Sequence, residues 1–484
     1  MANRSIQSTG AYLPLLRFER KAARAELSWA GLGGNGRGRR TVAGWDEDAL
    51  TQAVEAAREA LAPAQGPVLG PVARVVFAST SAAFSDRSQS VLLSEALNLP
   101  RDAETVDLAN CRRSAVSALL RALRGPEGVE LIAAGEKRAT QPGSAANLTW
   151  GDGAGAAVVG DGPGVARLRG AGRVNLDLLD SYTSVARGLP YAAEERFTRD
   201  VMLSEALIPA AKAALAEAEL QAEDVALAVV PEPVSGLYAA AARKLGLSAP
   251  NLIERLGAEA GELGTAAPLF GLALSLEQAE PGQIVLLAGC GNGCDVLLLE
   301  VTGNTDRRPA HQALAEGAAL TSYSRLLSLT GGIELDWGPR AEVNQKVSAS
   351  VLARHGREMH GFVGGRDQGG NVQFPKTPMP VNPALDEPGA YQDVILRDEP
   401  ARVVSITADR LNFTPDPPFH FGLVQFENGA RVVMEHCDVE GGAQQVGAPL
   451  RMRFRIKAID RQRQFRSYFW KAAPLARPQL AAKE

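Results

Sequence analysis

Histidine is scarce in this chain, with 5 among 484 residues, and the first lies at position 311. A reaction in the preceding residues that needs an imidazole would have to obtain it from elsewhere. Cysteine is scarce too. The four cysteines are Cys111, Cys290, Cys294 and Cys437, and their spacing is not that of a disulfide framework. We therefore expect a reducing compartment, the cytoplasm.

The chain also lacks a long apolar run and an excess of either charge. No run of about 18 apolar residues occurs, so we expect no membrane-spanning helix. The N-terminal segment has none of the features of a secretory signal peptide. Lys and Arg number 51 against 55 for Asp and Glu, a net charge of -4, which excludes a nucleic-acid binder that acts by bulk charge.

Short apolar runs alternate with helical patterns from the N-terminus to about residue 302. Runs such as ARVVFAST (73–80), VELIAAG (129–135) and QIVLLAG (283–289) predict buried strands, and WDEDALTQAVEAAREAL (45–61) predicts an amphipathic helix. Strands that alternate with helices predict an α/β fold with a mostly parallel sheet. The same order recurs in two halves, about 1–165 and 166–302, which indicates an internal duplication.

The pattern changes after residue 302. Residues 303–360 predict a polar helical linker, and 361–390 are too rich in Gly and Pro for a long helix or a central strand. Residues 391–484 contain short β-like runs with turn signals, which predict a small barrel or sandwich. Its basic run RIKAIDRQRQFR (455–466) indicates a solvated strand pair, with contact to a CoA phosphate as the alternative.

Cys111 is the first candidate for chemistry. It follows the short apolar strand TVDLA and stands at the head of the predicted helix CRRSAVSALLRAL (111–123). A helix N-terminus favours the thiolate, which is the nucleophilic form of cysteine. The alternative is a small buried cysteine that fills a gap in the core.

Two glycine-rich loops are the second candidates. AGCGNGCDVLLLEV (288–301) contains Cys290, Gly291 and Gly293, and NLTWGDGAGAAVVG (147–160) contains Gly153 and Gly155. Glycine permits close approach of the backbone to a ligand, so the glycines are candidates for substrate binding and Cys290 for a second thiol. The alternative is a pair of structural turns, and the order strand, GxGxxG, helix of a dinucleotide fold is absent.

These segments together resemble the thiolase superfamily, through AYLPLLRFER, the Cys111 segment, WGDGAGAAVVG, ARKLG and GTAAPLFGLALSLEQAEPGQIVLLAGCGNG. The order is most similar to the branch of 3-hydroxy-3-methylglutaryl-CoA synthase and ketoacyl synthase three. The resemblance implies duplicated α-β-α-β-α layers over 1–302, a homodimer through this part, and acyl-CoA substrates. It also implies that Cys111 accepts the acyl group, that the glycine-rich loops line a CoA site, and that CoA enters only as part of the substrate, with no tightly bound cofactor.

The chain departs from that family where partners of the cysteine are expected. A histidine is expected after the strand in LAVVPEPVSG, where this chain has Pro231 and Glu232. An asparagine is expected near GELGTAAP, where Glu262 stands, and a glutamate near Thr80. Glu262 is therefore a candidate acid or base, because burial could raise the pKa of a carboxyl. The alternative for both is an ordinary surface or helix-end carboxylate, which we favour for Glu232, whereas both interpretations stay open for Glu262.

Residues 350–475 resemble the acyl-CoA-associated zinc-ribbon and OB-fold family, through GGRDQGGNVQFPKTPMPVNPA and RSYFWKAAP. That ribbon normally holds zinc with two CxxC pairs. No cysteine occurs here between Cys294 and Cys437, so Arg366–Gly370 and Met379–Leu385 supply no thiolates. His355 and His360 alone make a poor structural site. We expect no zinc, a degenerate ribbon over 361–390, and an OB-like unit over 391–484.

Two functions remain open from the sequence. The first is an acyl-CoA-dependent acyltransferase that forms or cleaves a carbon–carbon bond through a cysteine thioester. The second is a catalytically degenerate CoA-binding or scaffolding subunit of a thiolase complex, favoured by the simultaneous loss of the histidine, the asparagine and the zinc cysteines. A separate thiolase subunit is a candidate partner, whereas nucleic acid and membrane are not expected.

Overall fold

The computed structural model describes residues 4–62, 70–109, 111–178, 180–184, 186–305, 307–339, 343, 345–377, 379–384, 391–440 and 444–480. The strands before residue 303 are β1 (Arg4–Tyr12), β2 (Leu16–Glu19), β3 (Arg39–Val42), β4 (Val72–Ser79), β5 (Glu104–Ala109), β6 (Val129–Glu136), β7 (Gly153–Asp161), β8 (Ala166–Asn175), β9 (Ser181–Thr183), β10 (Pro190–Ala192), β11 (Val225–Val229), β12 (Ile284–Cys290) and β13 (Gly293–Val301). The helices there are α1 (Arg20–Leu27), α2 (Ala49–Leu61), α3 (Gln89–Ala96), α4 (Ser114–Leu123), α5 (Ala145–Thr149), α6 (Glu195–Val201), α7 (Ile208–Ala218), α8 (Leu237–Leu245), α9 (Leu252–Glu259) and α10 (Ala267–Leu276).

After residue 302 the chain forms α11 (Pro309–Ala315), β14 (Ala318–Leu320), α12 (Tyr323–Leu329), α13 (Ala349–Gly361), β15 (Val363–Arg366), β16 (Val372–Gln373), β17 (Gln392–Ile395), β18 (Ala401–Val403), β19 (Thr407–Asp409), β20 (Phe419–Phe426), β21 (Arg431–Glu435), β22 (Pro449–Asp460) and β23 (Phe465–Pro474). A π-helical segment, Met202–Leu207, leads directly into α7. None of the helices in the described ranges is long and apolar enough to cross a membrane.

The main sheet has nine strands in the order β11-β12-β13-β8-β1-β7-β6-β4-β5. Strands β5, β4 and β6 are parallel, and β7 and β1 add antiparallel strands beside them. The second half repeats this arrangement, since β11 and β12 are parallel and β13 and β8 follow as antiparallel strands. The counterpart of β5 is reduced to a bridge between Ala228 and Asn251. The two halves meet where β1 pairs with β8, so the predicted duplication is present in the fold.

The layers explain why the central helices are so apolar. Helices α4 and α10 lie between the two halves and contact strands of both, whereas α2 packs on the outside of the first half and α7 on the outside of the second. Every residue of α10 is buried. Because a helix with sheets on both sides has no solvent face, apolar residues all round it are expected. The five layers are α2, the strands of the first half, the helices α4 and α10, the strands of the second half, and α7. This is the arrangement that the resemblance implied.

The linker is only partly helical, which differs from the prediction. Helices α11, α12 and α13 are separated by β14, which pairs with β2, and by non-helical residues that include 331–339 and 345–348. Gly331 adopts a left-handed φ of 74°, and the segment Thr330–Gly332 forms a turn that ends α12. A polar pattern alone does not show where such a turn interrupts a helix.

A three-stranded sheet, β16-β15-β17, occupies the place of the predicted ribbon. The turn between β15 and β16 is closed by the Asp367 carboxylate, which accepts hydrogen bonds from the backbone and side chain of Asn371. Within the described residues, no group of three or more His, Cys, Asp or Glu side chains could hold a metal ion. Leu385, at the end of the second predicted ribbon turn, lies outside the described residues.

The C-terminal unit is a small antiparallel sheet, β19-β20-β18-β22-β23 with β21 on β20, consistent with the OB-like barrel that was expected. Its long hairpin β22–β23 packs on α2, and the two parts share one apolar cluster that includes Ala53, Phe454 and Trp470. The basic run was predicted to be solvated, and this is wrong for Arg455. Its guanidinium is fully buried and forms ion pairs with Glu47 and Asp438, because the hairpin faces the first half.

Candidate functional site

Cys111 lies in the turn between β5 and α4, three residues before the helix begins at Ser114. Its side chain is partly exposed, and Sγ donates a hydrogen bond to the carbonyl oxygen of Gly291 at 3.0 Å. The Ser114 backbone N–H donates to the Cys111 carbonyl at 3.1 Å, which closes the first turn. The thiol is therefore held at the surface of the central layer and is not enclosed by apolar packing.

Cys111 lines a cavity of about 470 Å³. The cavity lies beyond the carboxyl ends of β4, β5 and β6, which are parallel and therefore end at the same edge of the sheet. Ligands of α/β proteins bind in this position. Its remaining walls come from Trp150, from the turn at Gly291 and Asn292, and from residues at and beside the β9–β10 hairpin, namely Leu178, Asp180, Ser181, Tyr182, Thr183, Gly188 and Pro190. In the described ranges, no histidine lines this cavity.

Two arginines and a carboxylate form a cluster beside Cys111. Arg138 Nη1 lies 2.6 Å from Glu262 Oε2, and its Nη2 donates to the Glu262 carbonyl at 2.6 Å. Burial raises the pKa of Glu262, but the guanidiniums of Arg138 and Arg112 lower it by a larger amount. The pKa of Glu262 is therefore below its usual value. Burial alone would raise the pKa of a carboxyl at this position, which was the basis for Glu262 as a candidate acid or base. The two cations shift it in the opposite direction because they stabilise the carboxylate.

Arg112 also connects the cavity to the hairpin. It forms an ion pair with the carboxylate of Asp180, which lies just before β9. Burial lowers the pKa of Arg112, and the nearby Arg138 lowers it further, while Glu262 raises it. Arg112 and Arg138 are both largely buried. Arg112 is paired with Asp180, which lines the cavity, and Arg138 with Glu262, which lies behind the cavity wall.

Glu136 is a site residue that the sequence argument missed. It ends β6 and is fully buried. Its Oε1 accepts hydrogen bonds from Thr80 N at 3.0 Å and Thr80 Oγ1 at 2.8 Å, and its Oε2 accepts one from Ser81 Oγ at 2.5 Å. A glutamate was expected near Thr80, and a carboxylate does lie there, but β6 supplies it. The available signal was an acidic residue at the end of the apolar run VELIAAGE.

Of the glycines proposed for substrate binding, Gly291 lines the cavity and the others do not. Gly153 and Gly155 are buried in β7, where a Cβ on Gly155 would lie 2.5 Å from Phe270 N. A Cβ on Gly293 would lie 2.1 Å from the Val174 carbonyl oxygen, and its φ of 108° favours glycine. These three glycines allow strands and helices to approach closely.

Cys290 and Glu232 also lie off the cavity wall. Cys290 is buried at the end of β12, and its Sγ is 3.6 Å from that of Cys294 on the neighbouring strand. Glu232 Oε1 accepts a hydrogen bond from Tyr238 N at 2.9 Å, in the first turn of α8, as expected for a helix-end carboxylate. Burial raises the pKa of Glu232.

Comparison with known proteins finds relatives among the hydroxymethylglutaryl-CoA synthases. Hydroxymethylglutaryl-CoA synthase of Aeropyrum pernix is 27% identical over 371 residues, which cover 72% of this chain and 96% of that protein. The enzyme of the same name from Archaeoglobus fulgidus is 27% identical over 332 residues, 66% of this chain and 95% of that protein. The chain has the thiolase-like fold and is similar to these synthases in sequence. No protein-family model matches it.

Solved structures agree on the fold of this thiolase-like chain. An HMG synthase of the curacin biosynthetic pathway, solved with acetyl donor-ACP, has a TM-score of 0.56 at 18% identity and covers 72% of this chain and 93% of that one. An HMG-CoA synthase complexed with CoA has a TM-score of 0.55 at 16% identity, with 72% and 95% covered. The 3-oxoacyl-(acyl carrier protein) synthase III of Pseudomonas aeruginosa PAO1 has a TM-score of 0.54 at 21% identity, with 63% and 100% covered.

Proposed function

We propose that this thiolase-like chain is an acyltransferase that takes an acyl group from acyl-CoA onto Cys111 and forms or cleaves a carbon–carbon bond. The observation that carries the proposal is the position of Cys111, at the wall of a cavity of about 470 Å³ and at the head of the buried helix α4. The similarity to hydroxymethylglutaryl-CoA synthases supports acyl-CoA as the substrate class.

Acylation of Cys111 needs no net acid or base. Sγ forms a bond to the thioester carbonyl carbon, the bond from that carbon to the CoA sulfur breaks, and the proton lost by Cys111 passes to the departing CoA thiolate to give free CoA. The negative charge that develops on the carbonyl oxygen is stabilised by nearby donors and cations, here Arg112. The surroundings of Cys111 therefore support the acylation half of the reaction.

The carbon–carbon step needs a base for the α-proton of the second acyl group, and the site offers no imidazole. Asp180, the carboxylate among the described lining residues, is paired with Arg112, and Glu262 and Glu136 lie behind the cavity wall. The lowered pKa of Glu262 makes it a weaker base, and Glu136 is held by hydrogen bonds from Thr80, Ser81 and Thr265. A missing acid or base typically costs about 10²- to 10⁴-fold in rate.

This weakness favours a second candidate, a catalytically degenerate subunit that binds acyl-CoA or holds a separate thiolase. The observation behind it is that Glu262 is neutralised by Arg138, at the position where the resemblance places an asparagine. In this alternative Cys111 accepts and returns an acyl group without condensation, or accepts none.

Mass spectrometry of the full chain separates the candidates. We expect acetyl-, butyryl- or succinyl-CoA to add the acyl mass to the Cys111 peptide, with Cys111→Ala as the negative control and Cys290→Ala as the matched thiol control. Release of a condensed product after addition of a second acyl-CoA supports the acyltransferase. Acylation without that product supports the degenerate subunit, and the absence of acylation with every acyl-CoA rejects a thioester on Cys111.

We also propose that the chain forms a homodimer through its thiolase-like part. Strand β5 ends the nine-stranded sheet, and in the described residues it pairs only with β4. An edge strand of this length exposes backbone groups that a second copy can satisfy. Sedimentation analysis should give about twice the 51.0 kDa mass of the chain, and substitution of Val106 by proline in β5 should shift the chain towards the monomer.

A further inference from the structure

The wall that carries Cys111 is rich in cations. Arg112, Lys137 and Arg138 all line the cavity, and Asp180 is the one carboxylate among its described lining residues. The other nearby carboxylates, Glu262 among them, stand behind this wall. An acyl group that enters the cavity therefore meets more positive than negative charge.

The Arg138 side chain is held in place, but not all of its hydrogen-bond donors have partners among the residues that the structure describes. Glu262 binds its Nη atoms, and the Trp150 ring lies 4.1 Å from its guanidinium carbon, which fixes the plane of the group. The side chain is only 7% exposed, yet its Nε has no hydrogen-bond partner in the described part of the chain. A buried donor without a partner is unfavourable, and an anionic ligand can supply that partner.

Over the described ranges, Lys137 has hydrogen-bond partners but no carboxylate in direct contact with its ammonium group. Its Nζ donates to the carbonyl oxygens of Gly44 at 2.8 Å and Glu47 at 2.9 Å, and no ion pair of Lys137 forms among the described residues. An ammonium group has three donors, so these two neutral acceptors leave one unused. Burial lowers the pKa of Lys137, although the more distant carboxylates Asp152, Glu47 and Asp48 raise it in part.

We propose, on the basis of the proposed function, that the acyl group delivered to Cys111 carries a free carboxylate bound by Arg138 and Lys137, so that the substrate is the CoA monothioester of a dicarboxylic acid. A planar carboxylate suits a guanidinium that is already held flat against Trp150. The CoA phosphates are the other source of an anion. They belong to the nucleotide end of CoA, whereas these cations lie on the same wall as the thiol that takes the acyl group.

Pairs of thioesters with equal chain length test the proposal. The rate of Cys111 acylation is measured on the full chain with succinyl-CoA against butyryl-CoA, and with glutaryl-CoA against valeryl-CoA. We expect the carboxyacyl member of each pair to react at least about tenfold faster per unit concentration, the size of one charge-assisted contact. The same comparison with pantetheine thioesters, which lack the nucleotide phosphates, should retain the preference.

Two variants test whether Lys137 and Arg138, on the cavity wall, cause the preference for carboxyacyl thioesters. Lys137→Met removes the ammonium without leaving a carboxylate unpaired. The double variant Arg138→Gln with Glu262→Gln removes both charges of the buried pair together, which avoids an uncompensated buried charge. Each should reduce the carboxyacyl preference to about twofold or less. Arg169→Gln is the control, since Arg169 pairs with Glu300 and does not line the cavity.

The outcomes distinguish this inference from the proposed function. Equal rates for butyryl and succinyl thioesters, with Cys111 acylated by both, overturn the inference and leave the proposed function intact. A preference that disappears with pantetheine thioesters, or that survives in both variants, also overturns it. If none of the thioesters acylates Cys111, the proposed function fails first and the inference fails with it.

Discussion

Replacement of Glu55 by glutamine should loosen the junction between the first half and the C-terminal sheet. Glu55 lies on α2 and is fully buried under the β22–β23 hairpin. Its carboxylate accepts hydrogen bonds from Arg453 Nη1 at 2.5 Å and from Phe454 N at 3.0 Å. It also lies 3.2 Å from Arg58 Nη1. The substitution keeps the size of the side chain but leaves the buried Arg453 guanidinium without its carboxylate partner, whereas Arg58 keeps its ion pair with Asp398.

The size of the effect follows from the pKa of Glu55. Burial raises this pKa, but Arg58, Arg453 and neighbouring arginines lower it more, from 4.5 to about 2. At 1.36 kcal/mol per unit, the carboxylate contributes about 3 kcal/mol, similar to the loss expected when one partner of a buried ion pair is removed. Because the folded pKa is the lower one, this contribution is complete above pH 4.5 and is lost as the pH falls towards 2.

Urea unfolding at several pH values measures this difference. Trp470, which lies 5.0 Å from the Arg58 guanidinium, makes tryptophan fluorescence a reporter of the junction. We expect Glu55→Gln to unfold at lower urea than the wild type at pH 7, with the difference in unfolding free energy narrowing as the pH falls from 4.5 towards 2. Glu427→Gln, at an exposed position, is the matched control. A loss under about 1 kcal/mol at pH 7, or a difference that does not change with pH, would refute the reasoning.

Three further substitutions test the assignments at and around the site. Gly155→Ala should destabilise the fold by about 1–3 kcal/mol, because its Cβ would meet Phe270 N at 2.5 Å; an unchanged melting temperature would contradict this role. Cys290→Ser should leave the acylation rate of Cys111, measured by mass spectrometry, within about twofold of the wild type. A complete loss of Cys111 acylation in this variant would instead indicate that Cys290 is a second catalytic thiol. Glu232→Gln should cost about 1 kcal/mol or less in thermal stability without slowing acylation, and a large loss of acylation would place Glu232 in the reaction.

Much of the architecture was predictable from local pattern. Apolar runs of strand length and amphipathic helix patterns are encoded in neighbouring residues, so the α/β order and its duplication followed from the sequence. Cys111 was recognisable for the same reason, since a cysteine between an apolar strand and a helix is a local feature. The linker was the least accurate part, because turns such as the one at Gly331 break its helices where the polar pattern gives no warning.

The site is formed by contacts between residues that are far apart in the sequence, so no local sequence pattern reveals it. Glu136 and Thr80 are 56 residues apart and Arg138 and Glu262 are 124 apart, yet each pair is in contact. A raised pKa for Glu262 was a sound inference from burial alone. The direction reverses only because the fold brings two arginines to the same carboxylate.

The sequence by itself therefore determined the elements, their repetition, the position of the candidate nucleophile and the lack of histidine before residue 311. Only the tertiary structure decided which charges face Cys111 and which glycines serve packing. It also decided that Arg455 is buried in an ion-pair network against the first half. The physical reason is that periodicity reports which face of an element is apolar, whereas electrostatic interactions depend on distances between atoms that are far apart in the chain.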